Sequence, residues 1–325
     1  MKMKWLKGQV LPRLRAWSAV GASVAALIAG ACSREPARPE SPGAALSVVC
    51  TTGMVADVVA RVGGERVGVV TLMGPGVDPH LYKATPGDLR ALAEADLVFY
   101  SGLHLEGQLA DVLKKLGGRK PSVALAEVIP TEFLHAPPDQ PEAFDPHVWF
   151  DVALWTRTID PVLETLSKAD PTSRDAYATR AAGLRAELDA LDAEVRQSIG
   201  TIPEDQRILV TAHDAFGYFG AAYGLKVMAI QGISTESEAS LADVNALVDL
   251  LVTSAIPAVF VESSVPRKTV EALIEGAKSR GHTVSMGGEL FSDAMGPPGT
   301  PEGTYAGMIR YNTRLIVAAL GGGTP

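Results

Sequence analysis

The sequence predicts an α/β protein of two lobes, each with a mainly parallel sheet flanked by helices, joined by one long rigid helix. Three observations predict it. Short apolar runs alternate with helical stretches from about residue 46 to residue 171, the same alternation returns over 201–321, and the longest periodic segment of the chain, 172–200, lies between them. Strand, helix, strand in this rhythm implies parallel strands joined by right-handed crossovers.

The first residues are read apart from the fold. Lys2, Lys4, Lys7, Arg13 and Arg15 form a positive leader, and Ala16 to Ala31 is apolar or small. That stretch is short for a bilayer span and ends in small residues, so residues 1–31 read as an export signal, with a permanent anchor helix as the alternative. Cys32 follows Ala29-Gly30-Ala31, where a lipoprotein signal places its acylated cysteine, although the same text fits plain signal cleavage. Residues 32–45 have the Pro-rich polar composition of a tether. The expected product is exported and held at a membrane surface by lipid on Cys32, in the periplasm or at the cell surface. The leader carries five positive and no negative charges, so its removal takes the formal charge from −8 to about −13. A chain this acidic does not suit nucleic acid and does suit cations. The second cysteine, Cys50, lies in an apolar run and reads as a small core residue.

In the first lobe, Leu46–Thr51, Val67–Leu72 and Leu97–Tyr100 read as strands. Gly53–Val62 has helical spacing and stops at Gly63-Gly64, and Thr85-Pro86-Gly87-Asp88 opens a second helix with Thr85 as N-cap. In the connector, Tyr177, Ala181, Leu184, Leu188, Leu191, Val195 and Ile199 recur at three- and four-residue spacing opposite charged faces. In the second lobe, Ile208–Thr211, Val227–Ile230, Ala258–Val261 and Thr283–Ser285 are strand-like, with helices at Leu241–Ser254, Pro266–Ser279 and about Thr304–Leu320.

Four residues have metal-ligating chemistry, and at least three of them stand within a loop's length of a strand end. His80 and His147 each end an Asp-Pro-His triplet, His213 closes the run Ile208–Ala212, and Asp293 follows Thr283–Ser285. Ligands of open α/β sheets bind beyond the carboxyl ends of strands, so facing lobes would bring the four together in the cleft. Three imidazoles and one carboxylate suit zinc and related first-row ions, and a bidentate Asp would make Mn²⁺ more acceptable. Pro stiffens the backbone before each of the first two His. Of the other histidines, His104 reads as structural or as a neighbour of the ligands, and His135 and His282 as solvated. Glu262 and Glu289 are acceptors for ring N–H groups, or else core or capping residues.

His80-Leu81-Tyr82-Lys83, Gly102-Leu103-His104-Leu105-Glu106, Asp145-Pro146-His147-Val148-Trp149-Phe150-Asp151 and His213-Asp214-Ala215-Phe216-Gly217-Tyr218-Phe219 resemble text of the metal-binding lipoproteins of zinc/manganese ABC importers. So do Gln231-Gly232-Ile233-Ser234-Thr235, Val261-Glu262-Ser263-Ser264 and Gly287–Gly296, in order over residues 46–320, with Tro-type members most similar. The resemblance implies a monomeric, extracytoplasmic solute-binding protein, not an enzyme. It would carry one Zn²⁺ or Mn²⁺ on His80, His147, His213 and Asp293 and deliver it to a permease and its ATPase. Some manganese-selective members carry Glu where this chain has His213, and typical zinc-specific members have a His-rich loop where Phe133–Phe144 holds only His135. The ion therefore stays open between Zn²⁺ and Mn²⁺. An exported zinc hydrolase is the rival reading, without a His-Glu-x-x-His to support it, and a surface adhesin with a structural metal is another.

Overall fold

The computed structural model describes residues 44–136 and 143–321; the signal segment 1–31, Cys32 and nearly all of the tether lie outside the described residues. The first half alternates β1 (Leu46–Cys50), α1 (Gly53–Gly63), β2 (Val67–Thr71), α2 (Pro86–Glu94), β3 (Leu97–Tyr100), α3 (Ala110–Gly117) and β4 (Ser122–Ala124). Its sheet is wholly parallel in the order β2-β1-β3-β4. Thr85 and Asp88 cap α2 reciprocally, each side chain taking the other's backbone N–H, with Pro86 in the first turn. Cys50 is fully buried with a free thiol.

Two helices, α4 (Val152–Thr156) and α5 (Ile159–Ala169), lead into α6 (Arg174–Gly200), the 27-residue connector. At 1.5 Å per residue it spans about 40 Å. Every member of its apolar stripe, from Tyr177 to Ile199, is buried. Its polar faces are tied down as well. Arg180 donates from Nε to Val62 O and from Nη2 to Gly63 O, both at 2.8 Å, which occupies carbonyls at the end of α1. Arg61 pairs with Glu187, and Arg310 donates to Glu194 at 2.8 Å.

The second half runs β5 (Ile208–His213), α7 (Gly217–Tyr223), β6 (Lys226–Gln231), α8 (Leu241–Thr253), β7 (Ala258–Glu262), α9 (Lys268–Ser279), β8 (Ser285–Leu290) and α10 (Tyr305–Ala319). β5 pairs with β6 and β7 with β8, all parallel, and β5 lies beside β7. The central core is continuous: buried residues of β1, α1, α5, α6, α7 and α10 join one cluster that also takes in Phe260 and Leu290. Separate apolar layers cover the α2/α3 side of the first sheet and the α8/α9 side of the two-stranded sheets β5-β6 and β7-β8.

The expectations differ from the structure in a few places. β8 begins where Thr283–Ser285 was expected to end, and it runs through Gly287 and Gly288. These glycines serve the strand: a Cβ on Gly287 would stand 2.6 Å from the Phe260 ring, and Gly288 has φ +131 beside a register shift at Val259/Phe260. The pair marks a bulge packed under an aromatic ring. No helix was assigned to 152–169, although Ile159, Val162 and Leu166 have the spacing of one and are buried. No helix among the described residues is long and apolar enough to cross a membrane.

Candidate metal centre

Each Asp-Pro-His triplet folds by the same local device. The aspartate two residues before the histidine accepts its backbone N–H: Asp78 Oδ1 from His80 and Asp145 Oδ1 from His147, both at 2.9 Å. This Asx turn, with Pro fixing the middle residue, points the ring away from its own chain. At Asp145 the same oxygen also lies 2.7 Å from His147 Nδ1, which leaves Nε2 as the outward atom. His213 is the last residue of β5, and Glu262 is the last residue of the neighbouring β7. Glu262 takes the His213 N–H at 2.8 Å with Oε1, and its Oε2 stands 2.5 Å from His213 Nδ1. Asp293 follows β8, and the backbone just before it is clamped by buried Asn312, which accepts from Phe291 N at 3.0 Å and donates to Phe291 O at 2.7 Å.

These elements bring His80, His147, His213 and Asp293 together. All four are buried, and each offers a ligand atom within 4.8 Å of the others. His80 Nε2 is 3.4 Å from His147 Nε2 and 3.9 Å from Asp293 Oδ2. His147 Nε2 is 3.3 Å from Asp293 Oδ1, and His213 Nε2 is 3.2 Å from Oδ2. Four ligands bonded at about 2.0–2.1 Å to a tetrahedral ion stand roughly 3.3–3.4 Å apart, so most of these separations are those of a coordination shell. Both Asp293 oxygens and His213 Nε2 are buried without hydrogen-bond partners. Buried polar atoms are costly unless a donor or cation meets them, and here they converge. Because each Asp293 oxygen faces a different imidazole, bidentate binding and a fifth coordination position are within reach.

The remaining expectations divide. Glu262 lies against the ring of His213, a candidate ligand, which is the first of its two expected roles, whereas Glu289 pairs with Arg267 on the surface. His104 is exposed, at φ +65, beside Leu103 at φ +52. His135 and His282 are not simply solvated: His135 stacks on Tyr218 with centroids 4.1 Å apart, and His282 Nε2 lies 2.8 Å from Ile256 O. Asp145 as a ring partner and Asn312 as a backbone clamp were missed. The repeated Asp-Pro-His was the available signal for the first; nothing local marked the second.

A family model described as ZnuA, zinc-uptake complex component A, periplasmic, matches residues 48–319. The chain belongs to that family. Among curated ZnuA-family relatives, the manganese-binding lipoprotein MntA of Bacillus subtilis is 53% identical over 275 residues, covering 85% of this chain and 90% of that one. The zinc-binding protein TroA of Treponema pallidum is 50% identical over 273 residues, covering 84% and 88%. The solved periplasmic zinc binding protein TroA of Treponema pallidum superposes with TM-score 0.83 at 49% identity, covering 85% of this chain and 99% of that one. Relatives of nearly equal identity are thus named for different ions.

The electrostatics of this ZnuA-family centre favour proton release on metal binding. Burial pulls the His147 imidazolium down, but Asp145 and Asp293 outweigh it and bring the ring to about 9. The same contest, with Glu262 and Asp293 opposing burial, leaves His213 well above its ordinary value. At His80 burial wins, and the ring falls to about 4. Asp293 is held well below the usual carboxylate range, since His213 and His147 overcome the effect of burial. Without metal at neutral pH, His147 and His213 carry protons that an ion must displace. Apparent affinity is therefore expected to rise with pH through neutrality, by up to about tenfold per unit for each displaced proton, and to keep rising to about 9. The onset of weakening lies above the 6.5 of an ordinary imidazole. Competition titrations across this range check it, and a flat profile above neutrality would contradict the protonation pattern.

The His80 turn is also backed by Gly107, at φ +36, where a Cβ would stand 2.3 Å from His80 O. Gly107→Ala is expected to displace His80 and weaken ion binding about tenfold, the lower end of what supporting residues contribute. Calorimetry checks the affinity, with circular dichroism confirming that the variant folds.

Proposed function

We propose that this chain captures one divalent transition metal, Zn²⁺ or Mn²⁺, outside the cytoplasm and delivers it to an ABC-type importer, with His80, His147, His213 and Asp293 as the ligands. The observation that carries the reading is the spacing of three Nε2 atoms and one carboxylate at coordination-shell distances, deep in the protein, with unpartnered polar atoms facing one another. Membership of the ZnuA family supports the transport role.

The reading extends to the whole chain. Residues 1–31 direct export, Cys32 is acylated, residues 32–45 form the tether, 46–171 and 201–321 form the two lobes, and 172–200 is the connector. The monomeric protein works at the membrane surface, and its partners are a permease and its ATPase. It binds its cargo without turning anything over: Asp293 fills the fourth position that a catalytic zinc keeps for water.

Elemental analysis of protein loaded under competing Zn²⁺ and Mn²⁺ tests the function and selects the ion. One tightly held ion per chain, with no turnover on a hydrolase substrate panel, is expected. Protein that retains neither metal would overturn the reading. Mass spectrometry of the membrane-bound form tests acylation, which predicts a diacylglyceryl adduct on an N-terminal Cys32.

A further inference from the structure

The four side chains of the centre are not held alike. The segment carrying His147 is hydrogen-bonded into the second half three times. Trp149 Nε1 donates to Ser292 O at 3.2 Å, Tyr305 OH to Trp149 O at 2.7 Å, and Tyr218 OH to Asp145 O at 3.0 Å. His213 and Asp293 belong to the second half themselves. His80 stands on the 72–85 loop, and among the described residues one hydrogen bond ties that loop to the second half: Thr235 Oγ1 donates to Asp78 Oδ2 at 2.6 Å.

That bond falls on the carboxylate whose other oxygen accepts the His80 N–H. Asp78 is thus a bridge with His80 on one arm and Thr235 on the other. Thr235 is 9% exposed and lies in the 232–240 loop, whose further hydrogen bonds include local ones, Gln231 Nε2 to Ser237 O at 3.2 Å and Glu236 N to Ser234 Oγ at 3.3 Å. The same loop walls a cavity of about 750 Å³ that reaches His80 and none of the other three candidate ligands. Loop and cavity thus both stand on the His80 side of the centre.

We propose that Thr235 is a positioning residue, a latch across the cleft that holds Asp78, and through it His80, in ligating position, so that departure of the 232–240 loop frees His80 first and sets the rate at which the ion leaves. This rests on the proposed function, since it concerns release of the bound cargo. A hydroxyl donating to a charged carboxylate makes one of the stronger neutral-to-ion contacts. Without it, Asp78 Oδ2 loses its partner and the carboxylate is free to turn, which loosens the Asx turn that aims His80.

Thr235→Val replaces the hydroxyl with a methyl of similar volume, and Thr235→Ser keeps the donor. In a stopped-flow chase of metal-loaded protein into chelator, Thr235→Val is expected to release Zn²⁺ or Mn²⁺ about tenfold faster than wild type, from the loss of one charge-assisted hydrogen bond. Thr235→Ser is expected to stay within about twofold, since its donor is retained. In the metal-free protein, histidine NMR spectra should show the His80 ring signals shifted in Thr235→Val and restored in Thr235→Ser. Release from Thr235→Val at the wild-type rate overturns the latch, whatever the spectra show. A wild-type protein that holds no metal overturns the proposed function instead, and the metal-free His80 spectra then decide the latch alone: a shift supports it and unchanged signals overturn it.

Discussion

Replacing His213 with alanine is expected to weaken Zn²⁺ binding by more than about a hundredfold, beyond the 10–100-fold range seen for residues that only support a ligand. The reason lies in what the residue holds together. Its Nε2 faces Asp293 at 3.2 Å, its Nδ1 meets Glu262 at 2.5 Å, and its N–H is taken by the same glutamate. The substitution removes one nitrogen from the donor set and leaves the fully buried Glu262 side chain without the cationic ring beside it. Emptying the space of a fully buried ring and losing its contact with Glu262 is costly, so the thermal midpoint of the metal-free protein should fall as well. Calorimetric titration beside a melting curve separates the two effects. Wild-type affinity in a folded His213→Ala protein would remove this residue from the ligand set.

Asp145→Asn should produce the second largest loss, and one with a distinctive pH dependence. The carboxylate fixes the ring of His147 through Nδ1 and makes Nε2 a better donor to metal, and removing such a partner costs about 10–100-fold in affinity. It also helps to raise His147 to about 9, which makes protons stronger competitors at neutral pH. The two effects oppose each other. With Asn, the ring titrates lower and competition at pH 7 weakens, by about tenfold for each unit of the fall. Above about pH 9 His147 is deprotonated in both proteins, so the full loss of ligand strength appears there. The gap between variant and wild type is therefore expected to widen with pH and to narrow towards neutrality. A gap that narrows as pH rises would mean that Asp145 acts on the centre by some route other than the ring of His147. Glu262→Gln should follow the same pattern through the ring of His213, which Glu262 and Asp293 hold well above its ordinary value.

Together the predictions describe a centre in which strength and release are separate. His147, His213 and Asp293 sit in a block cemented by Trp149, Tyr218 and Tyr305 and by the core that runs through α6. His80, neutral at physiological pH and bordering the cavity, is the candidate ligand that an incoming ion would meet without displacing a proton. A rigid connector, tied to α1 through Arg180 and Arg61 and to α10 through Glu194, leaves loop movement at the cleft as the easier motion.

Periodicity and punctuation alone were enough for the alternating elements, the buried stripe of α6 and the reciprocal cap at Thr85, because each depends on residues a few positions apart. The same holds for the four candidate ligands: Asp-Pro-His is a local turn, and the ends of strands are where an open parallel sheet offers its side chains. Tertiary structure decided the rest. β8 runs on through Gly287 and Gly288, beyond the expected Thr283–Ser285, since the demand on these glycines comes from Phe260 and Leu315 in other elements. Asn312 holds Phe291 across 21 residues, Glu262 holds His213 across 49, and Thr235 reaches Asp78 across 157. Spacing along a chain carries information about neighbours one turn or one strand away; a hydrogen bond between distant segments exists only after packing has brought them face to face.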